Sequence, residues 1–127
     1  KSFNEYNTWQ ESETLLIVQI EHIEAVNNLL DIFSTDGVDG YIIGPYDLSG
    51  SLGVPGQFDH PDFIAAIKNI NSLAKEMNIP SGIHIIEPNL DELNSSIEKG
   101  YKFIAYSLDI RMLDASCRAA INSINNK

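Results

Sequence analysis

Gly40-Tyr41-Ile42-Ile43-Gly44-Pro45-Tyr46-Asp47-Leu48-Ser49 opens as a short apolar run rich in strand-forming residues and breaks at a Gly-Pro pair. A run of this length, closed by residues that cannot continue it, reads as a buried strand. The segment that follows, Gly44 to Phe58, carries four glycines and two prolines. Connections of roughly 15 residues without structure of their own are uncommon and tend to be functional. Beyond it, Phe63, Ile67, Ile70, Ala74 and Met77 recur at helical spacing, with Asp59 expected as the N-cap and Pro61 in the first turn.

The same alternation extends in both directions. Upstream, Leu15-Leu16-Ile17-Val18-Gln19-Ile20 reads as a strand buried on both faces, followed by one helix with Ile23, Val26, Leu30 and Phe33 on its apolar face, stopping near Asp36-Gly37. Downstream, the strand Gly82-Ile83-His84-Ile85-Ile86 precedes a helix with Leu90, Leu93 and Ile97, closed by Gly100 as C′ residue. A last strand, Phe103-Ile104-Ala105-Tyr106-Ser107, leads into a helix with Ile110, Leu113, Cys117, Ile121 and Ile124 in register. Strands alternating with helices predict βαβ units and a parallel sheet. Four consecutive units suit either a small doubly wound sheet or half of a (β/α)8 barrel, and periodicity does not choose between them. The stretch from Lys1 to Thr14 offers no start signal of its own.

The chain has 127 residues, short for a barrel of about 250. Eighteen acidic against eight basic side chains give a net charge of −10, which argues against a nucleic-acid partner because phosphate binding needs clustered Lys and Arg. No run reaches the ~18 apolar residues of a membrane span, and no tripartite leader opens the chain, so the cytoplasm is the expected location. The lone Cys117 cannot form an internal disulfide and is expected to be inert core.

Two carboxylates occupy equivalent positions: Glu21 follows one strand and Asp47 lies just beyond the next. Side chains leaving strands ~4.8 Å apart can converge on one cation. Oxygen donors of this kind suit Mg²⁺ or Mn²⁺, which keep waters or substrate oxygens in their other positions. The bland alternative has Glu21 capping the following helix and Asp47 closing an Asx turn.

Gln19-Ile20-Glu21, Gly37-Val38-Asp39-Gly40, Gly44-Pro45-Tyr46-Asp47-Leu48-Ser49 and Ser51-Leu52-Gly53-Val54-Pro55-Gly56-Gln57-Phe58-Asp59-His60-Pro61, taken in order, resemble the C-terminal half of the HpcH/HpaI aldolase family. The resemblance runs from about Leu15 to Leu113. It implies a metal-dependent (class II) pyruvate aldolase on a TIM (β/α)8 barrel, with residues 1–127 as the C-terminal half of a single barrel domain and the visible strands as the fifth to eighth. Glu21 and Asp47 would hold a divalent Mg²⁺ or Mn²⁺; Gln19 would line the pyruvate pocket, and backbone N–H groups around Tyr46 and Asp47 would help hold the pyruvate carboxylate. The metal would act as a Lewis acid toward the enolate formed on cleavage of a 2-oxo acid into pyruvate and an aldehyde. The family's catalytic arginine and its acid-paired histidine belong to the other half, so the isolated chain is expected to be inactive. A homo-oligomer is likewise implied.

Some residues depart from the family pattern. Tyr46 stands where a small residue is frequent and would reshape the aldehyde side of the pocket; His22 follows Glu21 where threonine is common. His84 could face substrate or a helix, and His60 is expected to serve helix entry. Arg111 and Arg118 are expected in surface or subunit contacts. Another carbon–carbon lyase of the same scaffold, citryl-lyase-like, and a non-catalytic half-barrel acting as an assembly module are the alternatives. No G-x-G-x-x-G or P-loop pattern follows any strand, which disfavours a nucleotide site.

Overall fold

The computed structural model describes residues 2–125; of the expected 1–127 domain, Lys1, Asn126 and Lys127 lie outside the described residues. The elements run α1 (Phe3–Glu13), β1 (Ile17–Ile20), α2 (Ile23–Asn27), α3 (Leu29–Phe33), β2 (Gly40–Ile43), α4 (Pro45–Ser51), α5 (Pro61–Glu76), β3 (Ser81–Ile85), α6 (Leu90–Glu98), β4 (Phe103–Tyr106) and α7 (Asp109–Asn125). All four expected strands are present.

The strands form one parallel sheet in the order β1-β2-β3-β4. A doubly wound sheet must reverse its strand order at a switch point. Here there is no reversal, and right-handed crossovers that all step the same way put the helices between the strands on one face, as in a barrel wall. The core lies on that face. Ile20 and Ile43 are 1% and 0% exposed, and Tyr41 stacks on Phe33 with ring centroids 5.1 Å apart. They pack with Val26 and Leu29 below the α5 residues Phe63, Ala66, Ile70 and Ala74. Removing most of a side chain so enclosed costs about 2–5 kcal/mol; Ile43→Ala is expected to lose that much in a urea melt without altering the helix content.

Several expectations are corrected here. The helix expected after β1 is two short helices broken at Asn28, whose side chain bonds the Glu24 carbonyl at 2.7 Å. The break resets the register, so Leu29 is buried and Leu30 is 59% exposed. Lys1 to Thr14, which showed no start signal, contains α1, opened by a reciprocal capping box between Ser2 and Glu5. The cap of α5 is His60 rather than Asp59: its Nδ1 accepts from the Asp62 N–H at 3.3 Å, which meets the expectation that His60 serves helix entry.

Cys117 is exposed, against the expected core position. The apolar stripe of α7 is present, but Ile110, Leu113, Ile121 and Ile124 all face away from the chain's own core. Phe3, Tyr6 and Trp9 on α1 are exposed as well. Spacing reports that a face is apolar; it does not report which surface covers it. No helix among the described residues is long and apolar enough to cross a membrane.

Candidate functional site

Strand register sorts the side chains at the C-terminal end of the sheet. Ile20 pairs with Ile43 and Ile43 with Ile83, all in or against the helix-side core. Their neighbours Gln19, Glu21 and Gly44 therefore point to the opposite, helix-free face. A Cβ built on Gly44 would sit 2.9 Å from Gln19 Nε2 and 3.2 Å from Glu21 Oε2. Gly44 has an ordinary negative φ, so the demand for glycine at this position is one of space. Main chain at the end of β2 passes directly against the Glu21 carboxylate.

Glu21 is half-buried, and Gln19 Nε2 donates to its Oε2 at 2.6 Å. That bond aims the carboxylate and leaves Oε1 open. Glu21 does not cap the next helix, because His22 does so, its Nδ1 accepting from the Glu24 N–H at 3.2 Å. This gives His22 a structural role.

The segment Gly44 to Phe58, expected as an irregular loop, contains α4, with Gly44 as N-cap and Pro45 at the first helical position. Two serines fasten it. Ser49, fully buried, donates to the Tyr46 carbonyl at 2.7 Å and accepts from the Gly56 N–H at 2.9 Å. Ser51 accepts from the Ile23 N–H at 3.0 Å, satisfying one of the open donors of α2. The Gly-rich segment is thereby held in one shape under the site.

Asp47 lies in the first turn of α4, exposed, and its carboxylate has no hydrogen bond or ion pair among the described residues, so the Asx-turn alternative is not realised. The backbone N–H groups of Tyr46 and Asp47 precede the first intrahelical bond, which is donated by Leu48 to the Gly44 carbonyl at 2.9 Å. The Tyr46 ring packs edge-on against Phe58 with centroids 4.9 Å apart. It walls a cavity of ≈ 430 Å³ that runs between β3, α5 and α6, touching His84 and Glu87 at one end and Asn71 and Lys99 at the other, and that neither Glu21 nor Asp47 lines.

Arg111 was expected only at a surface or subunit contact. It lies at this same end of the sheet, where Nη2 donates to both Glu87 oxygens at 2.7 and 2.9 Å, Nε donates to Glu87 at 3.1 Å, and Nη1 reaches Asp114 at 3.2 Å. The Glu87 carboxylate, first by hydrogen bonding and then by charge, holds the guanidinium above its ordinary pKa. The pairing ties the turn after β3 to the start of α7, a link between distant residues that no local pattern announces. Arg118 is paired with Asp114 on α7 at 2.8 Å.

The donor chemistry fits a hard divalent cation. Glu21, just beyond β1, and Asp47, in the first turn of α4, offer carboxylate oxygens only, the donor type such an ion would take. Among the described residues no group of three His, Cys, Asp or Glu side chains converges, so most coordination positions would be left to water or substrate oxygens.

The chain resembles proteins of known family. The family model for HpcH/HpaI aldolase/citrate lyase matches residues 3–115. A hydroxypyruvate/pyruvate aldolase of Sagittula stellata is 40% identical over 107 residues, 84% of this chain and 42% of the relative. A 5-keto-4-deoxy-D-glucarate aldolase of an Enterobacter species is 32% identical over 119 residues, 94% of this chain and 46% of the relative. The solved HpcH/HpaI aldolase of Desulfitobacterium hafniense superposes with a TM-score of 0.85 at 25% identity, covering 100% of this chain and 49% of that one. The chain thus spans less than half the length of these curated relatives, and its four βα units are those of a TIM-barrel wall.

Proposed function

The chain belongs to the HpcH/HpaI aldolase/citrate lyase family, and on that premise we propose that it is the C-terminal half of a single (β/α)8-barrel domain, that of a divalent-metal-dependent aldolase acting on pyruvate and an aldehyde. The observation that carries the reading is the pair Glu21, just after β1, and Asp47, in the first turn of the helix after the neighbouring strand β2, with neither spent on a cap, a side-chain turn or an ion pair among the described residues. Carboxylates held ready in this way are more readily explained by a cation than by stability.

In this reading Glu21 and Asp47 hold Mg²⁺ or Mn²⁺, which when bound supplies Lewis acidity at the keto oxygen of the 2-oxo acid. Gln19 orients Glu21 and lines the pyruvate side of the pocket. The open N–H groups of Tyr46 and Asp47 receive the substrate carboxylate, on main chain that the absence of a Cβ at Gly44 allows close to the site. Tyr46, braced by Phe58, bounds the aldehyde side. The groups that move protons come from the other barrel half, so this half alone is inactive. The uncovered apolar faces of α1, α7 and the inner sheet support burial against that half or a second copy, in a cytoplasmic homo-oligomer.

The test is release of pyruvate from 4-hydroxy-2-oxo acids by the intact protein, followed through NADH oxidation by added lactate dehydrogenase. Turnover is expected with added Mn²⁺ or Mg²⁺ and is expected to vanish with excess chelator, returning on metal replacement. Chelator-insensitive turnover would overturn the metal assignment, and a folded, metal-loaded protein with no carbon–carbon lyase activity would overturn the aldolase.

A further inference from the structure

At the end of the sheet opposite Glu21 and Asp47, a cavity of ≈ 510 Å³ opens where the C-terminal turns of α5 and α6 meet the first residues of β3 and β4. Lys75, Lys99 and Lys102 line it, with Tyr41, Asn71 and Tyr101 behind them. These are three of the eight basic side chains in a protein of net charge −10, yet no carboxylate lines the cavity. Among the described residues, the ion pairs are made by His60, Arg111 and Arg118, and none of the three lysines is neutralised. With eighteen acids on the chain, three unpaired ammonium groups around one concavity are a departure from its own charge pattern.

The wall behind the lysines adds to this character. The Tyr41 hydroxyl donates to Asn71 Oδ1 at 2.8 Å, and Asn71 Nδ2 donates to the Tyr101 oxygen at 3.1 Å. The chain of bonds runs one way, so the Tyr101 oxygen is already an acceptor and its own proton has no acceptor among the described residues. The loop that carries Lys102 is fixed by its N–H, which donates to the Ser81 carbonyl at 2.7 Å. The cavity therefore presents cations and an O–H donor on an ordered frame. Lysine is a compact point charge well suited to phosphate and carboxylate oxygens.

We propose that the cavity lined by Lys75, Lys99, Lys102 and Tyr101 binds a small multivalent oxyanion, a phosphate compound or a polycarboxylate, at the end of the strands opposite Glu21 and Asp47. A ligand there stabilises the fold as any ligand of the native state does. The proposal does not depend on the aldolase reading.

The test is titration calorimetry on the intact protein, without divalent metal and at low salt, using pyrophosphate in one arm and tricarballylate in the other. One or both are expected to bind the native protein and to raise its Tm. In Lys75→Gln/Lys99→Gln/Lys102→Gln the affinity is expected to fall at least about tenfold, since charge-assisted hydrogen bonds are the strong ones. Lys68→Gln, which removes a charge outside the cavity, is expected to bind as before. Should the triple variant not fold, Lys99→Gln and Lys102→Gln made singly are each expected to weaken binding severalfold. Binding of pyrophosphate alone assigns a phosphate ligand, and of tricarballylate alone a polycarboxylate. A folded native protein that binds neither, or folded lysine variants that bind as tightly as the native protein, would overturn the proposal.

Discussion

Glu21→Gln and Asp47→Asn, each made singly in the intact protein, are expected to lower kcat/KM for pyruvate release by at least about a thousandfold, because Lewis-acid stabilisation is worth several kcal/mol and each ~1.4 kcal/mol is a factor of ten. Both changes keep the size and most of the hydrogen bonding of the side chain while removing its charge. Fold stability is expected to stay close to native, since neither carboxylate bonds a helix end or a cation of the chain. The affinity for Mn²⁺, measured by calorimetry, is expected to fall with the activity in both variants. If either variant kept native turnover and metal affinity, that residue would leave the metal set; if both lost stability in step with activity, the carboxylates would be structural.

The second large effect is expected at Gly44, a residue with no chemistry of its own. A methyl group there meets Gln19 Nε2 at 2.9 Å and the Glu21 side chain at 3.1 and 3.2 Å. The Gln19 amide is the end of a flexible side chain and can swing away, so Gly44→Ala is expected to fold at a cost of about 1 kcal/mol. Swinging away breaks the 2.6 Å bond that aims Glu21. Loss of a group that orients a metal ligand typically costs 10–100-fold in affinity or activity. Gly44→Ala should therefore separate the two measurements, with a near-native melt and about that loss in kcat/KM. Gly50→Ala is the control, because nothing lies within 4 Å of a Cβ there; it is expected to be neutral or slightly stabilising. Equal effects at the two glycines would contradict the assigned role of Gly44.

What local chemistry could report, the chain reported. The runs Ile17–Ile20 and Gly40–Ile43 announce strands because β-branched residues in short apolar runs have few other uses, and Gly100 ends α6 at a φ of +91° that favours glycine. Glu21 follows β1 directly, as its place after an apolar run indicates, while Asp47 falls in the first turn of α4. Asp59 was read as the cap of α5 because carboxylates lead the preference, whereas His60 holds the position with its ring nitrogen. Gly44 to Phe58 was read as irregular because four glycines and two prolines weaken any helical signal. The helix there is held by Ser49 and Ser51, whose partners include Ile23, 28 residues away.

The sequence by itself determined the four strands, the order of the βα units and the place of Glu21 just after a strand, since each of these follows from periodicity and side-chain chemistry within a dozen residues. Only the tertiary structure decided that the sheet winds in one direction, that Gly44 packs on the Glu21 carboxylate, that Arg111 locks onto Glu87, and that the stripe of α7 finds no cover among the described residues. Each of these depends on residues brought together from far apart, and a one-dimensional pattern carries the apolarity and charge of a face without the identity of what meets it.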